Sequence, residues 1–386
     1  MYKRTLNPLE TNSFFIFGAR GVGKSTLIRS KFKQDEVFEV DLLNASTFEQ
    51  ASFALTELIA RVELAISKGN WIFIDEVQKL PKLLDVVQGL IDKKSARFIL
   101  SGSSARKLKR GGANLLAGRA YTYNLYPLTS RELAEDFSLN QYLAYGGLPR
   151  SWLIQDGAER VLFLRSYVTT YLKEEIAEEQ AVRKLEPFTK FLQVAAQSSG
   201  TVINYSKIAR DVGVSDQTVK TYFQILEDTL VGFTLPAFDQ SVRKAQGKSP
   251  KFYLFDTGVV RTLRRTVDQP LTDSNYEYGH LFEHFIINEI RRCAEYAGRD
   301  FHYSFLRTAD DQEIDLIIDR PGMPRAVVEI KSTERVREEH SKVILRLAAD
   351  IDNCELYLLS RDPEPKKFGD LLCLPWADGI RSILRK

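Results

Sequence analysis

The sequence has few of the residues that build disulfide frameworks or thiolate metal sites. Its 386 residues include three cysteines, four histidines and two methionines. Cys293, Cys354 and Cys373 are far apart and odd in number, which is typical of reduced core residues in a cytoplasmic protein. These numbers argue against a small secreted domain that depends on disulfides for its stability.

Long apolar runs and an excess of one charge are also missing. No run of 18 or more apolar residues occurs, so we expect no membrane-spanning helix. Residues 1–8 begin with basic side chains but lack the apolar stretch of a secretory signal. The 54 basic residues nearly balance the 51 acidic residues, so net charge alone does not indicate a nucleic-acid partner. The length predicts two or three domains.

A glycine-rich stretch near the N-terminus predicts a phosphate-binding loop. Residues 18–25 read Gly-Ala-Arg-Gly-Val-Gly-Lys-Ser and match the pattern G-x-x-x-x-G-K-[ST]. An apolar run at 14–17 precedes them and a helical pattern follows them, which is the strand-loop-helix context that the motif requires. The backbone N–H groups of such a loop bind phosphate oxygens. We expect nucleotide contacts from Gly18, Gly21, Val22, Gly23, Lys24, Ser25 and Thr26.

A second motif supplies the acids that nucleotide hydrolysis requires. Residues 71–76 form an apolar run that ends in Asp75 and Glu76. In proteins with this kind of loop, such an Asp joins the Mg²⁺ shell together with the loop serine, here Ser25. Glu76 is placed to polarise the attacking water as a general base. The two motifs together predict hydrolysis of ATP, with ATP and Mg²⁺ as the cofactors.

Strand and helix patterns alternate through the first 130 residues. This alternation predicts an α/β fold with a parallel sheet that is covered on both faces. The predicted strands are 13–17, 36–41, 71–75, 97–101 and 120–125, and the predicted helices between them are 24–32, 47–68 and 82–93.

Two polar positions near the later strands are further candidates for the ATPase site. Ser101 ends the fourth strand, where it or Ser103 could sense the γ-phosphate if the strand ends gather at one edge of the sheet. Arg119 precedes the fifth strand and could stabilise phosphoryl-transfer charge in cis or across a subunit of a homo-oligomer. A solvent-exposed charged surface is the alternative interpretation of Arg119.

The middle of the chain predicts a winged helix-turn-helix. In residues 201–223 a first helix ends at Gly213, and Ser215 can cap the second helix. Two short strands, 231–235 and 251–255, follow. Basic residues lie on the wing that joins these strands, namely Arg243, Lys244, Lys248 and Lys251. The wing favours phosphate contact and the second helix could meet base edges, so duplex or branched DNA is the expected partner. Protein packing is the alternative use of this module.

The C-terminal region predicts a metal-binding hairpin. A helix at 279–292 carries Glu283, and an alternating strand carries Asp315. After a turn at 321–322, Glu329 and Lys331 are two residues apart and therefore share one face of the next strand. Carboxylates from Glu283, Asp315 and Glu329 can hold Mg²⁺, and Lys331 can orient water for attack on a phosphodiester. This is the PD-(D/E)xK nuclease arrangement.

The same helix allows a competing interpretation. Residues 280–284 match H-x-x-E-H, an inverted zinc-peptidase motif, in which His280 and His284 would hold zinc beside Glu283. Two histidines on an amphipathic helix are the simpler explanation, and the hairpin already accounts for Glu283.

Taken together, these motifs resemble the AAA-type ATPases of bacteria and archaea that have a C-terminal domain of unknown function with a nuclease-like fold. The resemblance also includes residues 116–119 and the Gly-Gly-Leu-Pro step at 146–149, which we expect to shape a turn. It implies four parts: a P-loop ATPase domain at 1–130, a helical connector at 131–184, a winged helix at 185–262 and a nuclease-like α/β domain at 263–386.

The sequence thus predicts an ATP-driven protein that binds and processes DNA. The alternative, from a different functional class, is a regulatory ATPase switch whose winged helix and nuclease-like fold only bind partners. DNA-stimulated ATP hydrolysis separates the two hypotheses.

Overall fold

The structure is a computed structural model. It describes residues 2–94, 96–105, 108, 116–172, 185–239 and 248–385. Within these residues the chain forms two sheets of five and six strands, a two-stranded hairpin and a set of helices. No helix in the described ranges is both long enough and apolar enough to cross a membrane.

The N-terminal sheet is parallel, as the alternating pattern predicts. Its strands lie in the order β2-β3-β4-β1-β5, and every pairing between them is parallel. β1 and β3 are buried along their whole length because helices cover both faces of the sheet. The bounds are β1 Ser13–Phe17, β2 Val37–Asp41, β3 Trp71–Asp75, β4 Phe98–Gly102 and β5 Ala120–Asn124.

Among the described residues up to Asn124, four α-helices accompany this sheet. The pattern predicted at 47–68 divides in two at Ala54, whose backbone leaves the helical region at φ −122° and ψ 44°. The bounds are α1 Lys24–Lys31, α2 Ala45–Phe53, α3 Leu55–Ser67 and α4 Leu83–Lys94.

The middle of the chain is helical and ends in a hairpin. Gly213 ends one helix in the left-handed conformation, and the Ser215 side chain accepts from the backbone N–H of Thr218 to start the next, as predicted. The bounds are α5 Ser130–Leu133, α6 Leu139–Tyr145, α7 Pro149–Leu153, α8 Gly157–Ser166, α9 Leu185–Gln197, α10 Tyr205–Val212, α11 Asp216–Asp228, β6 Gly232–Leu235 and β7 Lys251–Leu254, with a π-helix at Tyr167–Leu172.

The C-terminal region builds a mixed six-stranded sheet against a long helix. The strands lie in the order β12-β13-β11-β10-β9-β8; β10-β11 and β11-β13 pair in parallel, and the other neighbours are antiparallel. The bounds are α12 Thr257–Arg264, α13 Tyr276–Tyr296, β8 His302–Arg307, β9 Glu313–Asp319, β10 Arg325–Lys331, α14 Lys342–Ala348, β11 Cys354–Ser360, β12 Lys366–Phe368, β13 Leu371–Pro375 and α15 Trp376–Leu384.

One continuous apolar core connects the three regions. It runs from one face of the N-terminal sheet through the middle helices to α13 and one face of the C-terminal sheet. The opposite faces of the two sheets have separate cores. α13 is buried along most of its length, and many of its residues belong to this continuous core.

Candidate functional site

The phosphate loop, residues 18–25, has the backbone geometry that its glycines predict. Gly21 and Gly23 adopt φ of 80° and 99°, values that a side chain with a Cβ rarely allows. A Cβ on Gly18 would lie 2.4 Å from the carbonyl oxygen of Leu125, so this glycine permits a close backbone approach. α1 begins at Lys24, so the last two residues of the loop already belong to the first turn of this helix.

The predicted Mg²⁺ residues meet at the carboxyl edge of the sheet. Ser25 Oγ donates to Asp75 Oδ2 at 2.6 Å, and Ser101 Oγ donates to the other oxygen of Asp75. The Lys24 ammonium is buried and lies 2.8 Å from the carbonyl oxygen of Gly18 and 3.7 Å from Glu76 Oε1. The hydroxyl and carboxylate oxygens together form an oxygen donor set that suits Mg²⁺.

Glu76 is held in a strained position beside this set. Its backbone adopts φ 58° and ψ 48°, which costs a residue with a side chain about 1 kcal/mol or more. Gln78 Nε2 donates to the Glu76 carboxylate and, at 3.1 Å, to Ser103 Oγ. Sequence reasoning did not identify Gln78. Its spacing of two residues from the general-base candidate was the available signal.

Two residues outside the motif donate hydrogen bonds to carbonyl oxygens of the phosphate loop. Arg4 donates to the carbonyl oxygen of Val22 at 2.7 Å and also pairs with the buried carboxylate of Glu132 at 3.0 Å. The hydroxyl of Tyr167 donates to the carbonyl oxygen of Arg20 at 2.8 Å. Neither position belongs to a recognisable motif. Arg4 is 18 residues before its partner Val22, and Tyr167 is 147 residues after its partner Arg20.

An apolar cavity of about 640 Å³ opens next to the loop. Gly21, Gly23 and Thr26 form one side of it, and Tyr2, Pro149 and Leu153 belong to the other side. Its size and largely apolar lining suit a planar ring system.

The Gly-Gly-Leu-Pro step brings Pro149 to this cavity, and both of its glycines have a steric reason. A Cβ on Gly146 would lie 2.0 Å from Asp256 Oδ1, and one on Gly147 would lie 2.3 Å from the hydroxyl oxygen of Tyr142. The backbone N–H of Gly147 donates to Asp256 Oδ2 at 2.7 Å. The step therefore joins the nucleotide side of the chain to the start of α12.

Arg119 lies at the opposite edge of the N-terminal sheet. It precedes β5, whose first residue pairs with Ser13 at the start of β1, whereas the loop follows the last residue of β1. The two edges are roughly 13 Å apart along the strands. Arg119 forms a two-point ion pair with Asp92, at 2.6 Å and 3.0 Å. The fold does not bring Arg119 to the phosphate loop of its own chain.

The C-terminal acids do converge. Asp315 on β9 and Glu329 on β10 are buried on one face of the sheet, and Asp315 Oδ2 accepts from the backbone N–H of Ile330 at 2.7 Å. Lys331 pairs with Glu329 at 2.6 Å. Glu283 approaches from α13, and its Oε1 accepts from the hydroxyl of Tyr253 at 2.6 Å.

Glu313 also belongs to this group, and sequence reasoning missed it. One carboxylate oxygen each from Glu283, Glu313 and Asp315 lies within 4.8 Å of the others. Glu313 and Asp315 are two residues apart on a strand, so strand alternation was the signal that could have found it. We refer to Glu283, Glu313, Asp315 and Glu329 as the acid cluster.

Lys251 enters the acid cluster, in contrast to its predicted place on an exposed wing. It is the first residue of β7, is 2% exposed, and its ammonium contacts Glu313 and lies 3.5 Å from Glu283 Oε1. Its side chain therefore points into the protein, toward α13 and β9. Arg243 and Lys244 lie outside the described residues, and Lys248 pairs with Asp239 at 3.2 Å.

Burial and mutual repulsion shape the electrostatics of the acid cluster. Burial, followed by the Glu329 and Glu283 carboxylates, raises the pKa of Asp315 well above its usual range. Burial also raises the pKa of Glu329, against the effect of Lys331. Oε2 of Glu329 has no hydrogen-bond partner within the described ranges. Such a site gains stability from an added cation.

The histidines of the competing zinc motif do not join a metal-binding group. His284 is buried, and its Nε2 lies 2.5 Å from the carbonyl oxygen of Leu254. Burial lowers the pKa of His284 to about 3. Among the described residues, the group with metal-ligand spacing consists of carboxylates alone.

Comparison with protein families divides the chain into three parts. Residues 10–134 match the AAA domain family. The chain therefore carries an AAA-type domain, which suggests nucleotide hydrolysis. Residues 136–270 match a domain of unknown function (DUF8612), and residues 278–378 match another (DUF4143). The AAA match covers the phosphate loop, Asp75 and Glu76, and the third match covers the acid cluster on α13, β9 and β10.

The curated relatives are uncharacterized proteins. One from Mycobacterium tuberculosis is 28% identical over 319 residues, which cover 82% of this chain and 69% of the relative. One from Methanocaldococcus jannaschii is 22% identical over 382 residues, with 90% of this chain and 82% of the relative covered. Haemophilus influenzae has a third, 23% identical over 271 residues, 64% of this chain and 68% of the relative.

Proposed function

We propose that this chain is an ATP-hydrolysing, DNA-binding protein whose acid cluster is a metal-dependent, nuclease-like site. The observation that supports the ATPase most strongly is the meeting of Ser25, Asp75 and Ser101 beside Lys24 and a strained Glu76. This arrangement has a phosphate cradle, an oxygen set for a metal and a general base within one site.

Each ATPase residue has a distinct role in this proposal. The loop amides and Lys24 bind the phosphates, while Ser25 and Asp75 would hold Mg²⁺, which would supply positive charge beside the phosphates. Glu76 accepts a proton from the attacking water, and Gln78 fixes its carboxylate. Ser101 orients Asp75, and the apolar cavity beside Thr26 receives the base of the nucleotide.

DNA binding is assigned to the helix pair and the hairpin in the middle of the chain, which we interpret as a winged helix. Asp216, Gln217, Lys220 and Gln224 on α11 are exposed, and Thr221 is half-buried. A helix presented in this way fits a major groove, and the basic loop of the hairpin would contact phosphates.

The acid cluster fits a divalent metal ion by its chemistry. Its donors are carboxylate oxygens, the type that Mg²⁺ and Mn²⁺ prefer, and Glu329 offers a buried oxygen without a partner in the described structure. We propose that Asp315, Glu329 and Glu283 hold the metal, which supplies Lewis-acid activation of a phosphodiester. Lys331 would orient water on the same face of β10.

A homo-oligomer is the arrangement in which Arg119 could act. Since Arg119 is half-buried at the edge of the sheet opposite its own phosphate loop, it would have to reach the nucleotide of a neighbouring subunit.

The alternative function is a regulatory ATPase switch whose C-terminal regions only bind partners. The observation that favours it is Lys251, because a protein cation already neutralises part of the acid cluster.

Incubation with linear, forked and four-way DNA, with and without ATP and with Mg²⁺ or Mn²⁺, tests the proposal. We expect DNA to stimulate ATP hydrolysis and the metal to support strand cleavage. Cleavage should be lost in Asp315→Ala together with metal binding, and lost in Lys331→Ala with metal binding retained. DNA binding without cleavage of any substrate under either metal would support the alternative.

A wing variant tests the DNA assignment separately. Replacing Arg243, Lys244 and Lys248 with Ala should reduce the slope of log affinity against log salt by about 0.9 for each lost phosphate contact. If affinity and slope equal those of the parent, the wing is not a DNA contact.

A further inference from the structure

Lys251 is the feature of the acid cluster that the nuclease-like arrangement does not explain. It comes from β7, 62 residues before Glu313 in sequence, and its side chain is 3% exposed. Its ammonium contacts the Glu313 carboxylate, lies 3.5 Å from Glu283 Oε1 and lies 5.3 Å from the centroid of the Phe305 ring. A lysine is rarely buried this fully unless a specific charge holds it there.

The ammonium lies where a metal ion would have to lie. Oxygens of Glu283, Glu313 and Asp315 are within 4.8 Å of one another, so an ion that bound all three would sit between them. Lys251 already contacts two of these three carboxylates. Two unit charges 4 Å apart repel by about 4 kcal/mol near a protein surface, and a divalent ion would be repelled more strongly. Lys251 and a metal ion therefore exclude each other from this position.

The charges support the same conclusion. The acid cluster contributes four carboxylates, and Lys251 and Lys331 contribute two ammonium groups. Lys331 forms an ion pair with Glu329, whereas Lys251 forms ion pairs with Glu283 and Glu313. Glu283 and Glu313 are thus both members of the group with metal-ligand spacing and the two partners of Lys251.

We propose that Lys251 is an internal cation that occupies the divalent-metal position of the acid cluster and must leave it before Mg²⁺ or Mn²⁺ binds. This proposal rests on the proposed metal site, with which the position of the Lys251 ammonium shares Glu283 and Asp315, and it gives that site a competing cation from the protein itself. The acid cluster would be neutralised by the protein itself until metal and substrate displace the lysine.

The backbone around Lys251 restricts how that displacement occurs. The carbonyl oxygens of Pro250 and Phe252 accept from the N–H groups of Ile203 and Gly200, at 2.8 Å and 2.7 Å, and Lys251 itself forms a β-bridge with Val202. The strand is therefore held on both sides of the lysine. The flexible four-carbon stem can rotate away from Glu313 while the strand stays in place.

Amine labelling of the unmodified protein tests this directly. The protein is treated with an amine-acylating reagent with and without Mn²⁺, and the acylation rate of each lysine is followed by mass spectrometry. We expect saturating Mn²⁺ to raise the rate at Lys251 at least about tenfold, while the rate at the exposed Lys190 on α9 is unchanged. Unchanged labelling of Lys251 at a Mn²⁺ concentration that fills the site would overturn the proposal.

A matched pair of variants tests the competition through affinity. Lys251→Gln keeps a hydrogen-bond donor near Glu313 but removes the charge, so Mn²⁺ should bind at least about tenfold more tightly, measured by electron paramagnetic resonance. The control is Lys366→Gln, which removes a lysine paired with the buried Asp362 at 2.5 Å in the same region. We expect the control to bind Mn²⁺ like the parent.

The outcomes separate this proposal from the function on which it rests. If the parent and Lys251→Gln both fail to bind Mn²⁺ while remaining folded, the metal site itself is wrong. If the parent binds Mn²⁺ and Lys251→Gln binds it equally or less tightly, the metal site stands and Lys251 is not its competitor. The labelling result does not depend on the folding of any variant.

Discussion

The phosphate loop takes its residues from one continuous stretch, 18–25, whereas the acid cluster and its lysines come from β7, α13, β9 and β10, spread over residues 251–331. The loop is an anion site made chiefly of backbone N–H groups. The acid cluster is a cation site made of side chains. The loop's lysine contacts a backbone carbonyl oxygen, that of Gly18, as well as Glu76, whereas the cluster's Lys251 contacts the carboxylates of Glu283 and Glu313. Backbone sites can therefore be recognised as local motifs, and side-chain sites depend on which distant elements meet.

The largest expected effect tests whether the phosphate loop works independently of the acid cluster. Glu76→Gln should retain nucleotide binding and slow ATP hydrolysis by about 10²- to 10⁴-fold, because the general base is lost. Lys24→Ala should abolish nucleotide binding, measured by fluorescence titration with a labelled nucleotide. Mn²⁺ binding at the acid cluster should stay at the parent value in both. Parent-level turnover in Glu76→Gln would remove this residue from the mechanism.

A variant of Arg4 tests whether the phosphate loop and the acid cluster are independent of each other. It donates to Val22 in the loop and, at 3.3 Å, to the hydroxyl of Tyr296 at the end of α13, the helix that also carries Glu283. Arg4→Met should weaken nucleotide binding about tenfold, since one or two buried hydrogen bonds to the loop region are lost. We expect no change in Mn²⁺ affinity. A parallel loss of Mn²⁺ affinity would instead indicate that α13 couples the sites.

A smaller effect is expected in the way that the free energy of unfolding depends on pH, through Asp315 of the acid cluster. The pKa of Asp315 is raised, so folding favours its protonated form. This contribution to the free energy of unfolding is fully present below the ordinary pKa of about 3.9 and is lost as pH rises through the raised value. Without metal, Asp315→Asn should therefore be more stable than the parent at pH 8, because the amide side chain carries no charge to bury.

Urea unfolding at pH 4 and pH 8 measures this difference. The advantage of Asp315→Asn should shrink toward pH 4, because the parent is then protonated at this position. Equal stability of the two proteins at pH 8 would show that burial of the Asp315 carboxylate does not destabilise the folded protein.

The fold of the N-terminal region was predictable because its signals are local. The five predicted strands agree with the observed ones within one residue at each end, because short runs of strand-forming residues between turns are a local signal. Gly213 and Ser215 were predicted as caps for the same reason, because capping needs only the neighbouring backbone. The division of the helix at Ala54 was not foreseen.

The acid cluster was predictable only in part. Asp315, Glu329 and Lys331 follow from strand alternation and a hairpin, and Glu313 could have followed from the same rule. The place of Lys251 could not, because alternation gives two faces and the position of the hairpin against β9 and α13 decides which face is buried. Arg119 shows the same limit, since its distance from the phosphate loop depends on strand direction and register.

The sequence by itself determined the phosphate loop, because glycines at fixed spacing and a following helix specify how backbone amides are presented. It also determined the alternating sheet and the helix caps, which depend on contacts within a few residues. Only the tertiary structure decided that Arg4 and Tyr167 hold the loop, that Gly146 and Gly147 adjoin Asp256 and Tyr142, and that Lys251 lies among the acids. These contacts join residues far apart in sequence, and their partners are set by the packing of whole helices and sheets.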